Sequence, residues 1–443
     1  MDEVKLLIER AEHAKRGMQL MRTLYRDAMI LGTPHREDWD ETTPGEDKQR
    51  HVYDSTFQNS LERLTNALYT GMFAPWLTWF ELEAGDDVDE EEKDTLKAQL
   101  EAPAEKLRKA LLRSNFYSAI HPWLGDLIMG TGVMLIEEDE DTDVTFIPIP
   151  ISKAALEEGR QGRIEGLFRT YSMTGRRFLR DFGKEAASAK LRRAIEKDAN
   201  CKIDLISCIY YDKDNHERPW CQKVIYPADA YVVKENHFFS KPFVAPRWSV
   251  LTGEIYGRGP ALKVAADAYS LNEAARLLLM QANMHLYGMY TTTDADMNPD
   301  TLELGPGVFI PVDSNDNSNP TLRALDVSGS MEIGDYVVNR LESSIQKGLY
   351  RDNLGQVEGP RMTATEIIER QSLVMQDMGA GFGRINAEGT DQILERVAEI
   401  LSRRVDANGI SKFPPVRVDG KIISIKYTSP LARAQEAEEV NAI

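Results

Sequence analysis

The residues that follow Pro260, ALKVAADAYSLNEAARLLLMQANMHLYGMY, constrain this chain more than any others. Proline suits the first place of a helix, because its ring presets φ and its missing N–H costs nothing there. Apolar residues then recur on almost every side of the helix. Lys263, Asp267, Asn272, Glu273, Arg276, Gln281 and Asn283 are scattered among them rather than gathered on one face. A surface helix keeps its apolar residues in one stripe, so a helix of this pattern must be packed on more than one side. At 1.5 Å per residue it spans roughly 40 Å.

The stretch that leads into it, GEIYGRGPALKVA from Gly253 to Ala265, invites comparison with a phosphate loop. Such a loop needs a strand, then GxxxxGK[ST], then a helix whose first amides face the phosphates. Gly253, Gly257 and Gly259 fit neither that pattern nor GxGxxG, because Ala261 and Leu262 fill the remaining places. Lys263 has no Ser or Thr beside it to hold magnesium. The glycines therefore read as a tight backbone turn at the foot of a long helix.

Upstream, the chain begins with a charged helix from Glu3 to Leu31 and a polar loop, DWDETTPGEDKQ. That opening predicts no signal peptide. A second helix opens on an expected capping box, Ser55 with Gln58. It stops at Pro75, with Trp76, Trp79 and Phe80 expected to anchor the extended piece that follows. GDDVDEEEKDTLKAQLEAPAEKLRKALLRS starts acidic, as the positive end of a helix dipole favours. WLGDLIMGTGVMLIEEDEDTDVTFIPIPIS reads as a helix, a glycine break and two strands joined by an acidic turn. Asp139, Asp141 and Asp143 imitate a calcium loop, but Val144 stands where the sharp turn demands glycine. Residues 160–250 alternate short strands with one helix, TGRRFLRDFGKEAASAKLRRAIEKD.

Downstream of the long helix, residues 291–330 read as a small module of two or three strands. A second long helix follows, MEIGDYVVNRLESSIQKGLY. Its Ile333, Val337, Leu341, Ile345 and Leu349 form one stripe. After the loop RDNLGQVEGPR, a third helix opens on a capping box, Thr363 with Glu366. Gly379, Gly381 and Gly383 predict a bend in it near Phe382. A strand pair, PPVRVDG with KIISIKYTS, and a polar segment close the sequence.

The 443 residues allow two or three domains or one elongated molecule. Apolar residues at 42% and charged residues at 28% indicate a folded protein, and no run is long enough to predict a membrane span. The three cysteines follow no CxxC spacing, which argues against a disulfide framework. Zinc on Cys208, His216 and Cys221 lacks a fourth ligand, and part-buried thiols are the simpler reading. A net charge of −18 excludes broad phosphate neutralisation as a mode of nucleic-acid binding. There is no HExxH or GxSxG, and the seven histidines are dispersed. No cofactor is expected.

The order of parts is an α/β body, a long helix out, a small module, a long helix back, a loop and a third helix. With its phrases YDSTFQNSLERLTNALYTGMFAP, GEIYGRGPALKVAADAYSLNEAARL, ELGPGVFIPVD, RMTATEIIERQSLVMQDMGAGFGRI and YTSPLARAQ, the chain resembles the head-to-tail connector, or portal, proteins of short-tailed T7-like bacteriophages. The resemblance covers nearly the whole sequence in order. It implies an α+β fold, an elongated portal-type subunit. Residues 1–250 and 362–430 would form a mixed α/β wing, the latter holding a long kinked helix. Residues 251–290 and 331–350 would be stem helices, 291–330 a small clip, 351–361 a tunnel loop, and 431–443 the start of a truncated or short helical crown.

It further implies a non-enzymatic ring of twelve subunits at one capsid vertex of the virion, assembled in the host cytoplasm and away from membranes. Double-stranded DNA would pass through it. Its partners would be the terminase large subunit, major capsid and scaffolding proteins, and tail adaptor or tail tube proteins. A mostly acidic channel would let DNA slide. Lys347, Arg351 and Arg361 would touch phosphates at the constriction or pair between subunits, with Asp352 and Asn353 beside them in the loop. In the clip, Asp294, Asp296, Asp300, Glu303 and Asp326, with Asp313 and Asp316, would meet basic partner surfaces or simply be solvated. Another ring-forming tail adaptor or collar protein, and a metal-dependent DNA-processing enzyme, are the alternatives.

Overall fold

The computed structural model describes residues 2–36, 39, 47–85, 90–287, 290–293, 309–312, 322–324, 331–350, 381–404, 413 and 423–429. Their architecture is α+β. Helices α1 (Asp2–Gly32), α2 (Thr56–Phe73), α3 (Glu90–Arg113) and α4 (Phe116–Met129) precede most of the strands. The central sheet is an antiparallel meander of β4 (Ala154–Glu158), β5 (Ile164–Thr174), β6 (Lys202–Tyr211), β7 (Trp220–Tyr226) and β8 (Tyr231–Phe238). A second, three-stranded sheet has the order β3 (Asp143–Ile149), β2 (Val133–Asp139), β9 (Phe243–Val244). No described helix is long and apolar enough to cross a membrane.

Alternation along the central strands explains why both faces of that sheet are covered. On β6, Cys208 and Tyr210 point to one face, where Leu7, Ala11 and Ala14 of α1 pack with Phe168. Ile203 and Leu205 point to the other, where they meet Phe178, Leu191 and Ile195 of α5 (Gly175–Phe182) and α6 (Ala189–Lys197). The expected single helix over this stretch is therefore two. Gly183, at φ 82°, ends the first, and Ser188 caps the second by accepting the N–H of Leu191.

The main core joins α2, α3, α4, β2, β3 and the C-terminal helix around Trp79, Trp123 and Phe116, all 1% exposed or less. Trp79 and Phe80 anchor β1 (Phe80–Ala84) as expected, but Trp76 is 69% exposed. At the start of α2, Ser55 makes no side-chain cap; the Asp54 carboxylate accepts the Thr56 N–H instead, at 2.8 Å. The acidic turn of β2–β3 is a hairpin tip: Asp139 accepts from Thr142 N–H and O–H, both at 2.8 Å, and Asp143 pairs with Arg404 at 3.2 Å.

Helix α7 (Pro260–Tyr287) begins at its proline, as predicted. The small module contains β10 (Tyr290–Thr292) between β11 (Phe309–Pro311), parallel to it, and β12 (Leu322–Ala324), antiparallel. Helix α8 (Met331–Gly348) returns. The Thr363–Glu366 capping box and Gly379 lie outside the described residues. Residues 381–385 are helical through Phe382, and a π-helical turn at Asn386–Thr390 precedes α9 (Asp391–Arg403). Its cause is visible. Glu388 is drawn to Arg247, and Gly389 packs so closely that a Cβ there would lie 3.2 Å from both Pro246 and Trp123. The closing strand β13 (Ile423–Tyr427) pairs antiparallel with β1; the expected partner PPVRVDG lies outside the described residues.

Candidate functional site

The α7–α8 hairpin is the feature that departs most from a self-contained fold. The two helices run antiparallel in a constant register. A Cβ on Gly348 would lie 2.3 Å from Val264 Cγ1, and one on Gly334 would lie 2.5 Å from Leu278 Cδ2. Between them Ser344 Oγ donates to Asp267 Oδ2 at 2.7 Å. Gly334, Leu341 and Gly348 are spaced by heptads, so the seam keeps to one side of α8 while the two backbones approach closely. The apolar stripe of α8 was legible in the sequence; the glycines that set its distance from α7 were not.

Burial changes along the hairpin. Near its base, Ala261, Val264, Ala268 and Leu271 of α7, Ile345 of α8 and Leu349 just after it are buried. Farther out, Leu277, Leu279 and Met280 are 42–53% exposed, Leu286 is 80% and Tyr336 is 66%. Val337, in the predicted stripe, is 41% exposed. Each such side chain withheld from water contributes on the order of 1.5–3 kcal/mol. The pattern that demanded neighbours on several sides finds them within one chain only over the first turns.

The base is built by backbones in contact. A Cβ on Gly259 would lie 1.9 Å from the Ile128 carbonyl oxygen, and one on Gly257 would lie 2.3 Å from that of Gly130. Gly259 N–H donates to Met129 O at 3.0 Å, and Gly257 N–H donates to Thr131 Oγ1 at 2.8 Å. Tyr25 donates its hydroxyl to Gly257 O at 2.5 Å, and burial pushes its pKa above the ordinary tyrosine value. Tyr256 reaches β4, accepting the Leu156 N–H at 2.9 Å and donating to Ala154 O at 3.2 Å. The amides of Glu254, Gly257, Arg258 and Gly259 are thus spent on protein carbonyls and a hydroxyl, which argues against the phosphate-loop reading on geometry as well as motif.

Arg247, 4% exposed, ties this base to the π-helical turn. Its Nη2 lies 2.9 Å from Glu388 Oε1 and donates to Gly162 O at 2.9 Å. No sequence signal marked it. Farther up, Asn272 of α7 accepts Tyr53 N–H at 2.7 Å and donates to His51 O at 3.0 Å, fastening the hairpin to the segment before α2.

Of the channel residues expected from sequence, Lys347 is described: it is exposed on the last turn of α8. Three residues on, Tyr350 adopts φ 58°, in the left-handed region that bulky residues avoid, and so turns the chain sharply out of the helix. Arg351, Asp352, Asn353 and Arg361 lie outside the described residues. So do Asp294, Asp296, Asp300, Glu303, Asp313, Asp316 and Asp326. Arg323, on β12, is exposed.

Among the described residues, one trio could converge on a metal: Cys221, Glu235 and His237, with ligand atoms within 4.8 Å of one another. It is not the trio weighed from sequence, since it omits Cys208 and His216. The Lys223 ammonium lies 3.5 Å from Glu235 and already supplies positive charge there. Burial pushes the Cys208 thiol up to about 12 and raises Cys221 as well, so neither is poised as a thiolate ligand. A groove of about 1040 Å³ opens between the central sheet and α9, and its Arg247 and Glu388 are paired to each other.

A family model described as bacteriophage head to tail connecting protein matches residues 4–443. The probable portal protein of Bordetella phage BPP-1 is 25% identical over 419 residues, 90% of this chain and 73% of that protein. The portal protein of Salmonella phage epsilon15 is 21% identical over 406 residues, 87% of this chain and 71% of its own. Among solved structures, a chain of a native gene transfer agent virion has a TM-score of 0.35 at 10% identity, covering 94% of this chain and 92% of its own. A chain of the neck of an empty gene transfer agent particle has a TM-score of 0.36 at 11% identity, covering 91% and 90%.

Proposed function

We propose a function from one premise: the chain belongs to the bacteriophage head to tail connecting protein family. It is a phage portal protein, the component through which the genome enters and leaves the capsid. The observation that carries its mode of action is the exposure of apolar side chains on both flanks of α7, Leu277 and Met280 on one and Leu279 and Leu286 on the other, with Tyr336 on α8. Two apolar flanks on an antiparallel helix pair fit the same pair on a neighbouring subunit to either side. Repeating that head-to-tail contact closes a ring of twelve, with α7 and α8 as stem, residues 291–330 as clip, and residues 1–250 and 362–430 as wing. Residues 351–361 form the tunnel loop.

In this arrangement the protein carries out no reaction. Its acidity lowers adhesion of DNA to the channel, while Lys347, Arg351 and Arg361, beside Asp352 and Asn353, touch passing phosphates. The acidic clip meets basic surfaces of the terminase and later of the tail adaptor, with charge speeding encounter more than tightening the complex. Capsid and scaffolding proteins surround the wing at one vertex of the virion, and assembly takes place in the host cytoplasm.

Negative-stain images of the purified protein test the central point. Rings with an axial hole are expected, and Leu279→Asp with Leu286→Asp should leave folded monomers with unchanged circular dichroism. Rings that persist in the double variant would refute the stem contact. Neutralising Lys347, Arg351 and Arg361 together should alter DNA packaging or retention; unchanged values for both would remove their assigned role.

A further inference from the structure

The lobe formed by α5, α6 and the start of β6 reverses the charge of the molecule. Residues 175–202 contain nine Lys or Arg against four Asp or Glu, a net charge of +5. The whole chain is −18, so the remainder carries −23. All nine cations are exposed.

The lobe is built to present them. Phe178, Leu191 and Ile195 point inward onto the central sheet and form a small core of their own with Ile203 and Leu205. The opposite face of α6 then carries Lys190, Arg193 and Lys197 at helical spacing, and α5 carries Arg176 and Arg180 one turn apart. Internal pairing uses only part of the charge. Asp181 takes Arg177 and Arg180, and Asp229 takes Lys190. Arg176, Lys184, Arg193, Lys197 and Lys202 show no side-chain partner. The surface also lacks the exposed large apolar side chains that protein-binding patches use as anchors: none of the exposed large hydrophobic residues falls between 175 and 202.

We propose that this lobe is a binding surface for double-stranded DNA, gripping the phosphate backbone without reading sequence. Charge without apolar anchors is what a uniform polyanion needs, and arginine forks match phosphate oxygens. The −23 of the remaining chain keeps the contact local, weak and salt-labile. The inference rests on the portal reading for the presence of DNA, but it assigns a contact apart from the stem hairpin and the tunnel loop.

The test uses the full-length protein and fluorescence anisotropy with a labelled duplex of about 30 base pairs, titrated at salt from about 50 to 200 mM. The comparison variant carries Arg176→Gln, Lys184→Gln, Arg193→Gln and Lys197→Gln, all exposed positions whose loss should leave the melting temperature unchanged. Wild type is expected to bind at low salt and to weaken steeply with salt. The variant should bind at least about tenfold more weakly, with a salt slope shallower by roughly three to four units. No wild-type binding at low salt, equal binding by the variant, or binding to polyglutamate in preference to the duplex would each overturn the proposal. If rings form but the lobe ignores DNA, this inference fails and the portal reading stands. Lobe-dependent DNA binding by a chain that never forms rings would be the converse.

Discussion

A methyl group added to Gly259 would sit 1.9 Å from the Ile128 carbonyl oxygen, and that oxygen belongs to backbone that cannot swing aside. Gly259→Ala is therefore expected to destabilise the chain by about 3 kcal/mol or more, read as a fall in the denaturant midpoint. Gly17, inside α1 with nothing within 4 Å of an added Cβ, gives the opposite sign. Gly17→Ala should stabilise by roughly 0.5–1 kcal/mol. Half-buried Asp391 offers a pH test: partial burial raises its pKa above the ordinary carboxylate value, against a hydrogen bond from Tyr427. A raised folded pKa means that ionisation works against folding once pH rises above it. Asp391→Asn should then raise the melting temperature at pH 7, with the gain shrinking as pH falls toward the ordinary carboxylate pKa. The sequence announced a tight turn at GEIYGRG from glycine chemistry alone. It could not announce Ile128 or Gly130 as what the glycines approach, because those partners lie more than a hundred residues away.

Elements whose identity rests on local periodicity were legible: α1, α7, α8 and the β2–β3 hairpin appear where apolar spacing placed them. Those decided by distant partners were not. Strand β13 pairs with β1 from the far end of the chain, and the π-helical turn before α9 follows the pairing of Glu388 with Arg247, which no local spacing announced. The helix expected across Gly183 fails for a local reason, a φ of 82° that favours glycine and turns the chain. The closely packed seam of α7 and α8 makes its own prediction. Gly348→Leu must displace Val264, 2.3 Å from even a Cβ at that position, and is expected to spread the hairpin at its base. Hydrogen exchange along α8 should accelerate by an order of magnitude or more, corresponding to about 1.4 kcal/mol per tenfold. Unchanged exchange would mean that the two helices do not depend on each other. For the candidate site, the stripe Val337, Leu341, Ile345 was visible as a pattern, but which turns stay exposed depends on where the body ends.

At the scale of the molecule, each subunit brings a charge of −18 to any ring. Like charges repel across distances near the Debye length, about 10 Å at 0.1 M salt. Burial of Leu286 and its neighbours is insensitive to that repulsion. The assembled fraction, measured by light scattering after size exclusion, should therefore rise between low and high sodium chloride. A fall would show that ion pairs, not apolar surface, hold neighbours together. The pairing of β1 with β13 has a further consequence, in time rather than space. Residue 427 is synthesised after the whole hairpin, so a nascent chain displays bare leucines at its tip before its own body can close. Whatever covers those leucines can therefore reach them before β1 has met its partner strand.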